Sequence, residues 1–157
     1  MAETRWLDDA EQRAWRGYLR MNTVLGAALS RQLQVDSTLS LPDFEVLVHL
    51  TDVEDERLRV SELARVMRWE KSRLSHQVTR MERRGLVARE ECLSDGRGAF
   101  VVLTGAGRDA IEAAAPAHVD AVRRLFFDAI TADDVDALAG ISQRVIARVE
   151  ANDVCPS

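Results

Sequence analysis

The chain has 157 residues, 46% apolar and 30% charged, which is enough to build a core without disulfides or metals to hold it. Its two cysteines, Cys92 and Cys155, lie far apart and form no ligand spacing, which excludes a disulfide framework and points to a reducing compartment. The net charge of −5 hides an uneven distribution: residues 57–97 carry eleven basic and six acidic side chains, a local +5 against −10 elsewhere, and a polyanion responds to the local field.

The first residues, MAETRWLDDAEQR, hold no apolar leader pattern, so no signal segment is expected. Residues 8–33 read as one long helix, with Ala14, Tyr18, Met21, Leu25 and Leu29 recurring at three- and four-residue steps. Asp36 to Leu39 reads as a loop. Ser40 is the expected N-cap of a second helix, with Pro42 in its first turn and Asp43 at the positive end of the dipole. Phe44, Leu47, Val48 and Leu50 form the apolar stripe of that helix, which gives way at the acidic Asp52–Glu56 turn.

Arg57 to Val60 reads as a short strand, and Ser61 is the expected cap of a brief helix that turns Leu63, Ala64 and Met67 inward. After a turn at Arg68–Lys71, a fourth helix is expected from about Ser72 to Arg84, stopped by Gly85. Leu86 to Leu93 and Ala99 to Leu103 are strand-like on either side of the turn-rich Ser94-Asp95-Gly96-Arg97-Gly98, so they form a hairpin. Thr104 opens a long helix to about Ile130, with a kink expected at Pro116. Thr131-Ala132-Asp133-Asp134 caps a last helix carrying Val135, Leu138, Ile141, Val145 and Val149. The expected order is α-α-β-α-α-β-β-α-α, a mainly α fold with a small β-hairpin. The longest apolar runs, AAAPA and AFVVL, are too short to span a bilayer, so a cytoplasmic protein with no membrane partner is expected.

Two short helices followed by a hairpin carry the functional signal. On the fourth helix Leu74, Val78 and Met81 share one face. Ser72, Arg73, His76, Thr79, Arg80 and Arg83 fall opposite, a set without a carboxylate that suits base edges and phosphates in a major groove. At the hairpin tip Arg97 can project into a minor groove, its stem held by Asp95 through a charge-assisted bond. These residues are the elements of a winged helix-turn-helix, spanning about 57–104.

The stretches VSELARVMRWEKSRLSHQVTRMERRGLVARE and SDGRGAFVVLTGAGRDAI resemble the MarR family of winged-helix regulators, and the flanking helices agree in number and order. The resemblance implies a homodimer joined through residues 8–33 and 105–150, binding double-stranded DNA at a pseudo-palindromic operator, with repression the commoner outcome. It maps the recognition helix onto Ser72–Arg84, so Ser72, Arg73, Ser75, His76, Gln77, Thr79 and Arg80 are expected at the bases. Asp95 and Arg97 are expected in the wing, and Lys71, Arg83 and Arg84 on phosphates. It also implies a small-molecule effector between the dimerisation helices and the DNA-binding lobe, where Trp15, Arg16, Tyr18 and His49 are candidates or packing residues. No cofactor and no catalytic set is expected.

Other chemistries fit less well. Gly105-Ala106-Gly107-Arg108-Asp109-Ala110 formally matches a dinucleotide fingerprint, but the element after its helix is another helix rather than a strand. His49, His76 and His118 are dispersed, without the spacing of a metal site. No GxSxG, HExxH or SxxK occurs. Cys92 beside Arg89 is a candidate redox thiol only if exposed. A protein-interaction module that retained the fold is the rival to a DNA-binding one.

Overall fold

The computed structural model describes residues 4–91 and 98–153. Its elements run α1 (Asp9–Asp36), α2 (Leu41–Thr51), β1 (Arg57–Arg59), α3 (Val60–Met67), α4 (Lys71–Arg83), β2 (Val87–Glu91), β3 (Ala99–Leu103), α5 (Gly105–Leu125) and α6 (Ala132–Asp153), with a 3-10 turn at Phe127–Ala129. This is the expected order. No helix among the described residues is long and apolar enough to cross a membrane. The expected tip Ser94–Gly98, with Asp95 and Arg97, and both cysteines lie outside the described residues, apart from Gly98.

Short polar side chains set the helix boundaries. Asp8 accepts from the Glu11 N–H at 2.8 Å while Glu11 takes the Asp8 N–H at 2.9 Å, a capping box that starts α1. The helix runs three residues past the expected Leu33, because its end is fixed by Ser37, whose hydroxyl and N–H both donate to the Leu33 carbonyl. Ser40 and Asp43 form the box that opens α2. The start of α3 differs from expectation. The helix begins at Val60, before Ser61, since Glu62 reaches back to the Arg59 N–H at 3.3 Å and lets β1 run straight into the helix.

Left-handed residues make the turns. Arg68, at φ 54°, closes α3 so that the Trp69 N–H meets the Ala64 carbonyl at 3.0 Å. Gly85, at φ 74°, ends α4, and the Leu86 N–H returns to the Met81 carbonyl at 3.0 Å, the six-to-one bond of a glycine-terminated helix. The chain then enters β2. The sheet order is β1-β3-β2, all antiparallel, with Arg89 opposite Val101 and Leu58 opposite Val101 on its other edge.

By contacts the chain divides into two units, Met1–Val119 and Asp120–Ser157. The core of the first gathers Leu33 of α1, Leu47 and Leu50 of α2, Leu63 of α3, Leu74, Val78 and Met81 of α4, and Val101 of β3, all fully buried. Each such side chain contributes roughly 1.5–3 kcal/mol by leaving water. His118 of α5 lies within this unit, its Nδ1 3.1 Å from Gln32 Oε1 and its ring 4.4 Å from that of Phe44. In the second unit Thr131 and Asp134 form the expected box that opens α6, and the hydrogen bonds from Thr131 hold the exposed Asp134 carboxyl below its ordinary range. α5 ends at Leu125 rather than near Ile130, because the 3-10 turn intervenes.

Thr104 and Gly107 explain the glycine-rich stretch after β3. The Thr104 hydroxyl donates to the Gly85 carbonyl at 2.6 Å and accepts the Gly107 N–H at 3.0 Å, so one side chain caps α5 and ties it to the end of α4. A Cβ on Gly107 would sit 2.0 Å from the Leu86 carbonyl oxygen. The glycine is needed for close approach of two backbones, rather than for a flexible helix start or a phosphate. Gly107→Ala should therefore cost about 1–3 kcal/mol, seen as a lower urea midpoint at unchanged slope; an unchanged midpoint would contradict the packing.

Burial lowers the His118 imidazole below its ordinary value. A lowered folded-state value gives stability that is complete above the unfolded value and lost as pH falls through the folded one. Stability should thus fall between about pH 7 and about pH 5, and fall less steeply in His118→Gln; urea unfolding at both pH values compares them, and parallel losses would absolve His118.

Candidate nucleic-acid interface

α4 divides into three strips at about 100° per residue. Its inner face holds Leu74, Val78 and Met81, each fully buried, together with Gln77 at 3% exposure. Opposite lie Ser72, His76 and Arg83, all exposed, with Thr79 beside them half-buried. Between these strips run two flanks, and each is held by a different part of the protein.

One flank carries Arg73, Arg80 and Arg84. The Arg73 guanidinium lies 4.0 Å from the centroid of the Trp69 ring, a cation–π contact within the helix-turn-helix turn. Arg80 donates from Nη2 to the side-chain carbonyl of Gln77. Arg84 donates from Nη1 to Asp43 Oδ2 at 2.7 Å and from Nη2 to the Thr38 carbonyl. Asp43 is 1% exposed. It also accepts the Ser40 N–H at 2.8 Å and Gln77 Nε2 at 2.6 Å. An open cleft of about 600 Å³ lies beside this cluster, between the α1–α2 junction and α4, with Gln34, Ser37, Pro42 and Arg80 in its wall.

The other flank carries Ser75, Thr79 and Glu82 and faces the sheet. Arg89 of β2 reaches across to it. Its Nη2 donates to the Ser75 carbonyl at 2.9 Å, the Ser75 hydroxyl at 3.3 Å and the Thr79 hydroxyl at 3.1 Å, and its Nη1 meets Glu82 at 3.4 Å. Its backbone N–H also donates to Glu82 at 3.2 Å. The one acid on this side of α4 is therefore neutralised by the strand that leads into the hairpin. At the sheet's far edge Arg57 and Arg59 stack over Phe100 at 4.7 and 5.1 Å.

The expected contact residues sort accordingly. Ser72, His76 and Arg83 lie on the outer strip of α4 with Lys71 at its start, Arg73 and Arg80 lie on one flank, and Ser75 and Thr79 lie on the other, held by Arg89. Gln77, expected at the bases, lies on none of these. Its spacing from Leu74 and Met81 sets it on the inner face, where its amide donates to Asp43. Arg84, expected on a phosphate, is turned to the same carboxylate and to Thr38. Among the candidates for a small-molecule pocket, Trp15 stacks on Tyr18 at 5.6 Å, and Trp15 and Arg16 line a hollow of about 300 Å³ with Trp6, Leu7 and Gln12; His49 and Tyr18 do not line it.

Sequence reasoning missed three residues: Asp43, Trp69 and Arg89. Asp43 showed itself only at a helix start, and Arg89 only in a basic window and as a neighbour of Cys92. Arg89→Ala should change stability by less than about 1 kcal/mol, because its pair with Glu82 is partly exposed. It should nevertheless untie β2 from α4, visible as faster amide exchange in β2; unchanged exchange there would show that the clamp is idle.

A model of the MarR family matches residues 37–98. The chain is 43% identical to AbsC, a MarR family transcriptional regulator from Streptomyces coelicolor, with a TM-score of 0.87 over 94% of this chain and 99% of that one. It is 41% identical to Sco3205, a MarR family transcriptional regulator from the same organism solved in complex with DNA, with a TM-score of 0.86 over 99% of this chain and 94% of that one. CouR from Rhodococcus jostii RHA1, solved bound to p-coumaroyl-CoA, is 25% identical, with a TM-score of 0.70 over 82% of this chain and 90% of that one. A search of curated protein sequences found no match.

Proposed function

Because the chain belongs to the MarR family of transcriptional regulators, we propose that it binds DNA sequence-specifically, as a homodimer on a pseudo-palindromic operator. The observation that carries this reading is the outer side of α4, where Ser72, His76 and Arg83 are exposed between two flanks of tethered side chains. Base contacts specify and phosphate contacts position; Ser72 and His76 have the donors and acceptors for the first, and Lys71 and Arg83 the charge for the second. Arg97, at the expected wing tip, would enter the adjacent minor groove. Sco3205, 41% identical, is solved in complex with DNA, which supports DNA as the partner.

Dimer formation is supported by apolar side chains left in water on a single chain. Trp15, Tyr18 and Val24 on α1 are each more than half exposed, as are Val145 and Ile146 on α6. Exposure of this kind on the elements expected to dimerise marks an association surface. A dimer of these lobes would set two α4 helices one DNA turn, about 34–36 Å, apart. We take repression as the output, relieved by a small-molecule effector that favours another lobe spacing. CouR carries p-coumaroyl-CoA in its own structure; the effector here would be a separate chemical question, approached by displacement from bound DNA.

The test is selection of genomic fragments by the purified protein, followed by affinity measurement across salt concentrations. Binding should weaken steeply with salt, and one family of sequences should be enriched. Arg73→Ala and His76→Ala should change which sequences are enriched, each lost base contact costing about 1–3 kcal/mol of discrimination. Lys71→Ala should weaken all DNAs alike and lower the salt slope by about one. Arg97→Ala should weaken binding while the mass in solution stays at that of a dimer. Equal losses on every DNA for Arg73→Ala and His76→Ala would reduce α4 to a nonspecific anchor, and no enrichment by the unaltered protein would remove the reading itself.

A further inference from the structure

The hydrogen bonds around Asp43 have a direction. An ionised carboxylate only accepts, so the Gln77 amide must turn its NH₂ toward Asp43 Oδ1, at 2.6 Å. That leaves the Gln77 carbonyl as the group facing out, and a guanidinium, which only donates, is the partner it suits. Arg80 Nη2 is bonded there. Gln77 is 3% exposed and Asp43 1%, so neither touches a ligand in the outer groove, and water does not compete freely for either. The same carboxylate takes Arg84 and the Ser40 N–H, which fixes it to the start of α2 and the end of α4 at once.

We propose that Asp43 and Gln77 are positioning residues for DNA recognition: the polarised chain Asp43–Gln77–Arg80 sets the guanidinium of Arg80 on the edge of α4 before DNA arrives. The inference rests on the reading of α4 as the DNA-facing helix. Arg80 starts from a flank and leans toward the inner face, so without its acceptor it would sample the whole outer side, including the strip of Ser72, His76 and Arg83. Ordering it in advance removes the entropic cost of fixing one long side chain on binding, and it confines Arg80 to one position along the groove. Sequence preference should therefore depend on two residues that touch no DNA.

The experiment compares the affinity for a genomic fragment selected by the unaltered protein with that for a shuffled duplex of equal length. Gln77→Met fills similar space and removes both polar ends. It should lower the ratio of the two affinities by about threefold to tenfold, the scale of one long side chain's freedom, with little change on shuffled DNA. Arg80→Ala should lower the ratio as well, and the double variant should lose no more than Arg80→Ala alone, since the two act as one unit. Gln77→Glu keeps an acceptor for Arg80 but offers Asp43 no donor and sets a second carboxylate against it, so it should not recover the ratio. Should Gln77→Met melt well below the unaltered protein, Asp43→Asn supplies the second test. It keeps an oxygen for the Ser40 N–H but lets the Gln77 amide turn over, and it should show the same loss only while Arg80 is present. Additive losses in the double variant, or an unchanged ratio in a Gln77→Met protein that melts normally, would overturn the relay while leaving DNA binding intact. If the unaltered protein itself does not distinguish the two DNAs, the DNA reading fails and the relay falls with it.

Discussion

A carboxylate shut away from water must find its donors inside the protein, and the placement of α4 follows from how Asp43 does so. Leaving such a group without partners costs several kcal/mol, so the backbone of Ser40, the amide of Gln77 and the guanidinium of Arg84 are drawn to one point. These donors come from the start of α2 and from two turns of α4. Apolar burial of Leu74, Val78 and Met81 presses α4 onto the core but is indifferent to small slides and rotations. Hydrogen bonds are not, because they weaken steeply with distance and angle. The core supplies the stability of the contact and Asp43 its register.

The second flank is held by a different device with a similar effect. Arg89 binds Ser75, Thr79 and Glu82 from the strand that leads into the hairpin, so the wing's base and the helix move together. Trp69 does the same for Arg73 from the turn. The central strip of Ser72, His76 and Arg83 makes no such contact with the described residues. On the proposed reading of α4 as the DNA-facing helix, rigid flanks would set the distance from the groove while the central side chains stay available to adapt.

Much of this was legible in the chain because its cause is local. Ser40 followed by Asp43, Thr131 followed by Asp134, and Gly85 after an arginine-rich helix end each announce a boundary through contacts of a few residues. The stripe of Leu74, Val78 and Met81 likewise needs only the helical period. Misreadings arose where a distant partner decides. Arg84 looks free for a phosphate until Asp43, 41 residues earlier, takes it, and Gln77, set on the inner stripe by its spacing from Leu74 and Met81, finds its polar partner in the same carboxylate. Gly107 looks like loop flexibility until the Leu86 carbonyl is found where its side chain would be. The early start of α3 has a nearer cause, since Glu62 outcompeted Ser61 by capturing the Arg59 N–H, a reciprocal bond that a search for the usual cap residues overlooks.

The account stands on α4 meeting DNA through its outer strip while its inner polar contacts stay closed. The most direct measurement is an NMR titration of the protein with a duplex it selects, following the side-chain amide of Gln77 together with the amides of α4. The account predicts large shifts at Ser72, His76 and Arg83, with the Gln77 side-chain NH₂ remaining slow to exchange, as expected of a group bonded to a buried carboxylate. Shifts confined to α1 or α6, or a Gln77 amide that opens to solvent as DNA binds, would contradict it.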